Sequence, residues 1–357
     1  MNHSTFKSFT FGIGLFFTLP LVYGNSSSPS SSDGTLYINK SKTHKVAPVK
    51  YGFHYEEIGM MGEGALHAEL IRNRSFEEAT PPAGLSVKNG LYENVPAPRV
   101  KEKKVFQADP LIGWTTYPLS YTPVFISRTD ENPMSGENKY SLLVNVTEDI
   151  ANHPDALILN RGYYGMNLKT DMSYRLSLFL KNRNYSAPLR VFLVDEWGQR
   201  VSNVIEVNVG NRDWTKYTGE LKPEKNVRRG MFAIQLMSKG QFQIDVVSLF
   251  PSDTWNDGKS VFRKDIVQNL KEFSPSFIRF PGGCIVHGVN EETMYHWKKT
   301  LGPIENRPGQ WSKWAPYYRT DGIGYHEFYE LCEYLGADAM YVTPIGMVCT
   351  GWVWKGK

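Results

Sequence analysis

Between residues 113 and 251 the hydrophobic period of this chain is two, and that stretch constrains the fold more than any other. "YSLLVNVT", "YRLSLFLKN", "LRVFLVDE", "SNVIEVNV", "MFAIQLMS" and "QFQIDVVSLF" follow one another, separated by turn signals. In an extended chain Leu176, Leu178 and Leu180 share one face, and so do Phe242, Ile244 and Val246. Six or more short alternating strands without a helical window between them predict a β-sandwich, with domain limits at 111–253.

On either side the period changes. After Trp255, "SVFRKDIVQNLKEF" sets Phe262, Ile266, Leu270 and Phe273 at helical spacing, and "SFIRFPGG" is a short apolar strand. "GYHEFYELCEYLG" is a second amphipathic helix ended by Gly336, and "ADAMYVTPIG" is another strand. Within 47–80, "APVKYGFHY" reads as a strand that runs into a Gly-rich turn. Alternating α and β elements predict parallel βα units, so the class is α/β plus all-β. A closed (β/α)8 TIM barrel takes about 250 residues. The α/β portions are much shorter, so they are either the first βα units of an incomplete barrel or a complete small parallel sheet, and the pattern leaves both open.

The N-terminus "MNHSTFKSF", followed by the apolar "FTFGIGLFFTLPLV", reads as a secretory signal peptide over 1–24, which implies export. A Ser-rich spacer occupies 25–34, the first strand and a Pro-, Gly- and Lys-rich linker 35–110, and the second α/β portion 254–357. A net charge of +4 over 357 residues gives nucleic-acid binding little support. Three cysteines without close spacing argue against a disulfide scaffold or a metal knuckle. The eight histidines lack metal-ligand spacing and no phosphate loop is present, so neither a metal nor another cofactor is expected.

In βα folds, function gathers where strands end. "HYEEIG" offers Glu56 and Glu57, which point to opposite faces of an extended chain, so only one can line a pocket; it would accept hydrogen bonds from sugar hydroxyls or pair with Arg72 or Arg74. In "FIRFPGGCIVHG", Arg279 could hold Glu56 or a substrate oxygen, while Gly282 and Gly283 let a ligand approach the backbone. Cys284 has His287 three residues away, but no other element of a Cys-His hydrolase is present, and a small thiol lining a pocket is the plainer reading. Trp297, Trp311, Trp314, Tyr317 and Tyr318 crowd a turn-rich stretch, where they serve either sugar stacking or the core.

Taken in order, "YGFHYEEIG", "GEGALHAELIRNRSFEE", "SFIRFPGGCIVHG", "HWKKTLGPIENRPGQW" and "TDGIGYHEFYELCEYLGA" resemble the N-terminal half of the glycoside hydrolase family 51 α-L-arabinofuranosidases. The stretch between them looks like the carbohydrate-binding jelly roll that some members insert after the first barrel strand. The resemblance implies a retaining glycosidase that releases terminal arabinofuranosyl groups from arabinan or arabinoxylan with two glutamates, an acid/base and a nucleophile. It implies that Glu56, Arg279 and Cys284 bind the arabinose unit, with Trp297 added as a sugar-binding aromatic. The family acid/base follows an Asn, and no Asn-Glu pair occurs after "TDGIGYHEF"; both catalytic glutamates are therefore expected beyond residue 357, and the chain alone is expected to be inactive. A non-catalytic carbohydrate-binding protein is the competing reading.

Overall fold

The computed structural model describes residue 41 and residues 51–78, 87–89, 91–92, 106–107, 109–118, 123–150, 155–288, 294–311 and 318–347. The chain forms two compact units, Met1–Val49 and Lys50–Lys357. The first is described only at Ser41, so the expected signal peptide and spacer lie outside the described residues. All that follows concerns the second.

β1 (Gly52–His54) leads into a helical turn at Gly62–Leu66, and β2 (Val87–Lys88), β3 (Leu91–Tyr92) and β4 (Phe106–Gln107) make a small antiparallel meander. The period-two stretch then supplies β5 (Trp114–Tyr117), β6 (Val124–Thr129), β7 (Ser141–Val146), β8 (Leu157–Asn160), β9 (Met166–Leu168) and β10 (Tyr174–Asn182). It continues through β11 (Pro188–Val194), β12 (Ile205–Asn208), β13 (Thr215–Leu221), β14 (Val227–Gln235) and β15 (Gly240–Pro251). These strands form two antiparallel sheets, one ordered β13-β10-β15-β7-β6 and one ordered β12-β11-β14-β8-β5, with β9 also on β14. One apolar cluster joins them: Leu142, Val144, Leu176, Leu178, Leu180, Phe242 and Ile244 from the first meet Trp114, Ile158, Val191, Leu193, Phe232 and Ile234 from the second. Burying each such side chain contributes about 1.5–3 kcal/mol, so the alternation itself drives the two faces together.

β15 departs from simple alternation. Its pairing with β10 shifts register between Ser177 and Phe179, and Val246 has φ +43°. This bulge turns Val246 out of the core face and passes that role to Val247 and Leu249, so the expected face of Phe242, Ile244 and Val246 breaks at its third member. The segment after the helical turn runs along the same strand: Leu70 N–H donates to Leu249 O (3.0 Å) and Val247 N–H to Arg74 O (2.9 Å). The buried Glu69 carboxylate accepts the N–H of Leu249 (2.8 Å) and of Ile71 (3.0 Å). The segment therefore closes the edge of β15 beyond Ile244, where its pairing with β7 ends.

Beyond β15 the chain forms α1 (Lys264–Glu272), β16 (Phe277–Phe280), the short α2 (Cys284–His287), the pair β17 (Gln310–Trp311) and β18 (Tyr318–Arg319), α3 (Tyr325–Leu335) and β19 (Asp338–Tyr341). β1, β16 and β19 make a three-stranded parallel sheet in sequence order, with Gly52 opposite Phe277 and Phe277 opposite Asp338. Gly52 permits this approach, because a Cβ there would lie 2.4 Å from Phe277 O. Ile278 and Phe280 of β16, Val267 of α1 and Phe328, Leu331 and Leu335 of α3 build a second apolar cluster. α3 ends at Gly336 (φ +67°), as its sequence requires. α1 is shorter than its spacing predicts: Phe262 precedes it as a buried bridge partner of His67, and Phe273 follows it, exposed, with its ring centre 5.7 Å from that of Phe53 in an edge-to-face contact. The whole is mostly β with a few helices.

Candidate functional site

The parallel pairing puts the ends of β1 and β16 side by side. Tyr55 N–H donates to Arg279 O (2.8 Å) and Glu57 N–H to Pro281 O (3.3 Å), so the two outgoing chains stay bonded past the last strand residues. Glu56 and Glu57 then diverge as extended geometry requires. Glu56 faces the Pro-Gly-Gly turn, where Gly283 N–H donates to its Oε1 (3.3 Å). Glu57 points inward and is 6% exposed. The Glu56 wall requires glycine at 282: its φ is +143°, and a Cβ would sit 2.5 Å from Glu56 Cγ.

Arg279 donates not to a carboxylate but to His54, with Nη1 2.9 Å from Nε2. Nη1 is also 3.4 Å from Nδ1, so the guanidinium lies against the ring close to both nitrogens, a position that a protonated imidazole would resist. Burial, then the Arg279 charge, hold His54 below its ordinary range against the pull of Glu56, whose Oε2 is 3.9 Å away. A Cβ at Gly283 would lie 3.6 Å from Arg279 Nη2, an ordinary contact, so the guanidinium packs beside this residue without requiring glycine there. Cys284, half-buried, starts α2 directly after the turn and is in no disulfide. The structure thus brings together Glu56, Arg279 and Cys284. Trp297 stands apart from them on a turn at Trp297–Thr300, half-buried, its ring 5.3 Å from Tyr325. Tyr325 in turn lies 5.0 Å from Tyr341, at the end of β19. The side chains of Trp311, Trp314 and Tyr317 lie outside the described residues, while the Tyr318 hydroxyl donates to Pro308 O. Arg72, a possible partner for the first glutamates, is taken by Glu78 (2.8 Å), and Arg74 donates to Ile304 O (3.1 Å).

Behind the wall lies a charged cluster that strand-end reasoning missed. Glu57 Oε2 accepts Gly62 N–H (2.7 Å) and the Tyr55 hydroxyl (3.2 Å). Burial, reinforced by the nearby Glu63 charge and opposed by Arg319, pushes Glu57 up to about 7. Glu63 goes the other way, to about 2: burial opposes its ionisation, but His67, Thr320 and Arg74 together outweigh it. Thr320 supplies N–H and hydroxyl to Glu63 Oε1 (3.0 and 2.7 Å), whereas His67 Nδ1 is 3.8 Å from Oε2, an electrostatic contact rather than a hydrogen bond. Between Glu57, Glu63, Tyr295, Arg319 and Asp321 is a cavity of about 10 Å³, room for one water. The signal was present in the sequence as a third acid seven residues after Glu56 and as "RTDG", but nothing local tied them together.

Against known proteins, the family profile described as the α-L-arabinofuranosidase 1 domain matches residues 269–356, which contain β16, α2, α3 and β19. The chain is 29% identical to alpha-L-arabinofuranosidase 1 of Arabidopsis thaliana over 83% of its own length and 40% of that protein's. It is 27% identical to an extracellular exo-alpha-L-arabinofuranosidase of Streptomyces chartreusis, covering 82% of this chain and 32% of that one. The solved structure of an arabinose-bound family 51 α-L-arabinofuranosidase superposes with a TM-score of 0.70 at 25% identity, over 87% of this chain and 46% of the other. The chain is similar to the family 51 α-L-arabinofuranosidases. It spans less than half the length of these relatives. Within the arabinofuranosidase likeness, the profile match takes in the β16 end with Arg279 and Cys284. Among the described residues no group of three or more His, Cys, Asp or Glu could hold a metal ion, and no helix is long and apolar enough to cross a membrane.

Proposed function

We propose that this chain supplies the arabinose-binding part of a retaining, exported α-L-arabinofuranosidase that removes terminal arabinofuranosyl groups from arabinan or arabinoxylan. β1, β16 and β19 are the first strands of its (β/α)8 barrel, and residues 111–253 are a jelly roll inserted after β1. The observation that carries this reading is the convergence of Glu56, Arg279 and Cys284 at the ends of two adjacent parallel strands. Each has a chemical part. Glu56, steadied by Gly283 N–H, accepts from sugar hydroxyls; Arg279, aligned by the neutral His54, donates to ring or hydroxyl oxygens; Cys284 gives the wall a small, weakly polar surface. Trp297, one ring removed from the end of β19, stands at the rim. Retaining hydrolysis further needs two carboxyl groups about 5 Å apart, one to protonate the leaving oxygen and one to form the glycosyl-enzyme, and these come from later strands.

The test is titration of the chain with methyl α-L-arabinofuranoside, followed by NMR. Saturable shifts are expected, weakened about tenfold or more in Glu56→Gln and Arg279→Ala, since each loses a charged hydrogen-bond partner. Absence of binding, or variants that bind like the parent, would refute the reading. Turnover of an aryl arabinofuranoside by the 357-residue chain itself would refute the placement of the catalytic glutamates.

A further inference from the structure

Glu56 and Glu57 stand back to back, and both are tied to the same turn. Glu56 takes Gly283 N–H at one end of it, while Glu57 N–H donates to Pro281 O (3.3 Å) at the other. Pro281 also lines the small cavity behind the wall, together with Glu57, Glu63, Tyr295, Arg319 and Asp321. A displacement of Glu57 is therefore passed through one backbone hydrogen bond to the turn that holds Glu56.

The cavity brings three buried carboxyl groups together, those of Glu57, Glu63 and Asp321. The cation that lines it with them is Arg319, whose Nε lies 3.5 Å from Asp321 Oδ1 and whose guanidinium covers the Tyr295 ring at 5.1 Å. Glu63 has the two Thr320 donors, the Tyr163 hydroxyl (3.3 Å) and the neighbouring His67. Glu57 Oε2 is met by neutral donors, Gly62 N–H and the Tyr55 hydroxyl. Three buried carboxylates cannot all ionise beside one facing arginine. Asp321 has Arg319 beside it and Glu63 has its donors, which leaves Glu57 to keep a proton.

A further charge finds no slack in the cluster. A Cβ on Gly62 would overlap Glu57 Oε2, so the carboxyl already presses on the backbone of the helical turn, and the cavity has room for one water. The chain between Glu57 and that turn can give: Ile58 and Met61 are exposed, and a Cβ on Gly59 (φ +63°) would touch nothing within 4 Å. An ionised Glu57 gains water only by moving toward this exposed segment, which pulls on Pro281. On the arabinose-binding reading of Glu56, we propose that Glu57 is a positioning residue whose proton keeps the Glu56 wall seated, so that release of the proton loosens the wall and weakens sugar binding. The linkage is reciprocal: a bound arabinoside raises the proton affinity of Glu57 by the same factor.

The experiment is NMR titration of the full chain, carrying isotope-labelled glycine, with methyl α-L-arabinofuranoside at pH 6, 7 and 8, beside Glu57→Gln. The parent is expected to bind about fivefold more weakly at pH 8 than at pH 6, the weakening setting in as pH rises through about 7, and the variant equally at both. A parent that binds alike at pH 6 and pH 8 overturns the proposal. So does a variant that keeps the parent's pH dependence, which would assign the titration to His54 or another group of the wall itself. Absence of binding at every pH refutes the arabinose reading instead, and the sugar-free spectra then decide. The Gly62 amide reports the Glu57 carboxyl and the Gly283 amide reports the Glu56 contact, so both should shift together with pH in the parent and neither in the variant. A Gly283 amide that stays still while Gly62 titrates, or a Gly62 amide that does not titrate, overturns the proposal whether or not sugar binds.

Discussion

Arg279 and His54, 225 residues apart in sequence, meet at 2.9 Å across the β1–β16 pair, the guanidinium lying against an imidazole whose pKa its charge helps to lower. A guanidinium bound to a carboxylate would have its charge matched already. Bound to a neutral ring it is held in place while its charge and its other N–H groups stay directed outward.

Removing that brace has a definite consequence. His54→Ala is expected to weaken binding of methyl α-L-arabinofuranoside about fivefold, the worth of one orienting hydrogen bond. Its side chain is 43% exposed, so the unfolding midpoint in urea should barely move. Loss of binding together with a large drop in stability would show a packing role instead.

Glu57 makes stability depend on pH in a direction opposite to most carboxylates. Its folded pKa of about 7 lies above the ordinary value of 4.5, so the folded state holds a proton that the unfolded chain releases between those values. The stabilisation is complete below pH about 4.5 and is lost as pH rises through about 7, amounting to at most on the order of 3 kcal/mol. Glu57→Gln keeps an acceptor for Gly62 N–H and the Tyr55 hydroxyl without the ionisation. Chemical denaturation at pH 5 and pH 8 should show parent and variant alike at the lower pH and the variant more stable at the higher; parallel pH profiles would count against a retained proton.

Gly282→Ala should damage the wall by two routes at once. The φ of +143° disfavours any side chain, and the new methyl would collide with Glu56 Cγ. A loss of about 1–3 kcal/mol in stability is expected, with arabinoside binding reduced more than in Glu56→Gln because the carboxylate is displaced rather than neutralised. An alanine variant that binds normally would show that the turn relaxes.

Arg307 ties the loop before β17 to the start of α3. It is 6% exposed, binds Glu327 through two N–H groups (2.7 and 3.0 Å), and donates to the carbonyls of Gly302 and Asp321. Glu327 also caps Gly324 N–H (2.9 Å). Arg307→Ala leaves that carboxylate with Gly324 N–H but no cation, removes the donor to two carbonyls, and should cost about 3–5 kcal/mol by urea unfolding. A cost below about 1 kcal/mol would mean that water replaces the guanidinium.

The sandwich was legible because each strand announces itself locally: Leu176, Leu178 and Leu180 face inward as their spacing requires. The bulge at Val246 was not, because the covering segment around Glu69 lies more than 170 residues away and nothing in "QFQIDVVSLF" encodes it. Likewise Glu56, Arg279 and Cys284 could be nominated from strand ends alone. Their geometry could not, since His54 and Gly283 come from different segments, and Glu63 finds Thr320 only across 257 residues. Sequence patterns carry what a strand is; they do not carry what lies beside it.

The Glu69 clasp on β15 also bears on how the chain assembles. Pairing Gly52 with Phe277 directly would close a loop of more than 220 residues, an entropic penalty that rises with loop length. Once the sandwich has formed and Leu70 is fastened to Leu249, the chain entering and the chain leaving it are already neighbours, and only the short stretches on either side remain to be brought together. Loop-closure entropy therefore favours an order in which the insertion folds first and acts as the template on which the parallel strands meet. A substitution that loosens the sandwich will therefore delay formation of the Glu56–Arg279 wall without touching it.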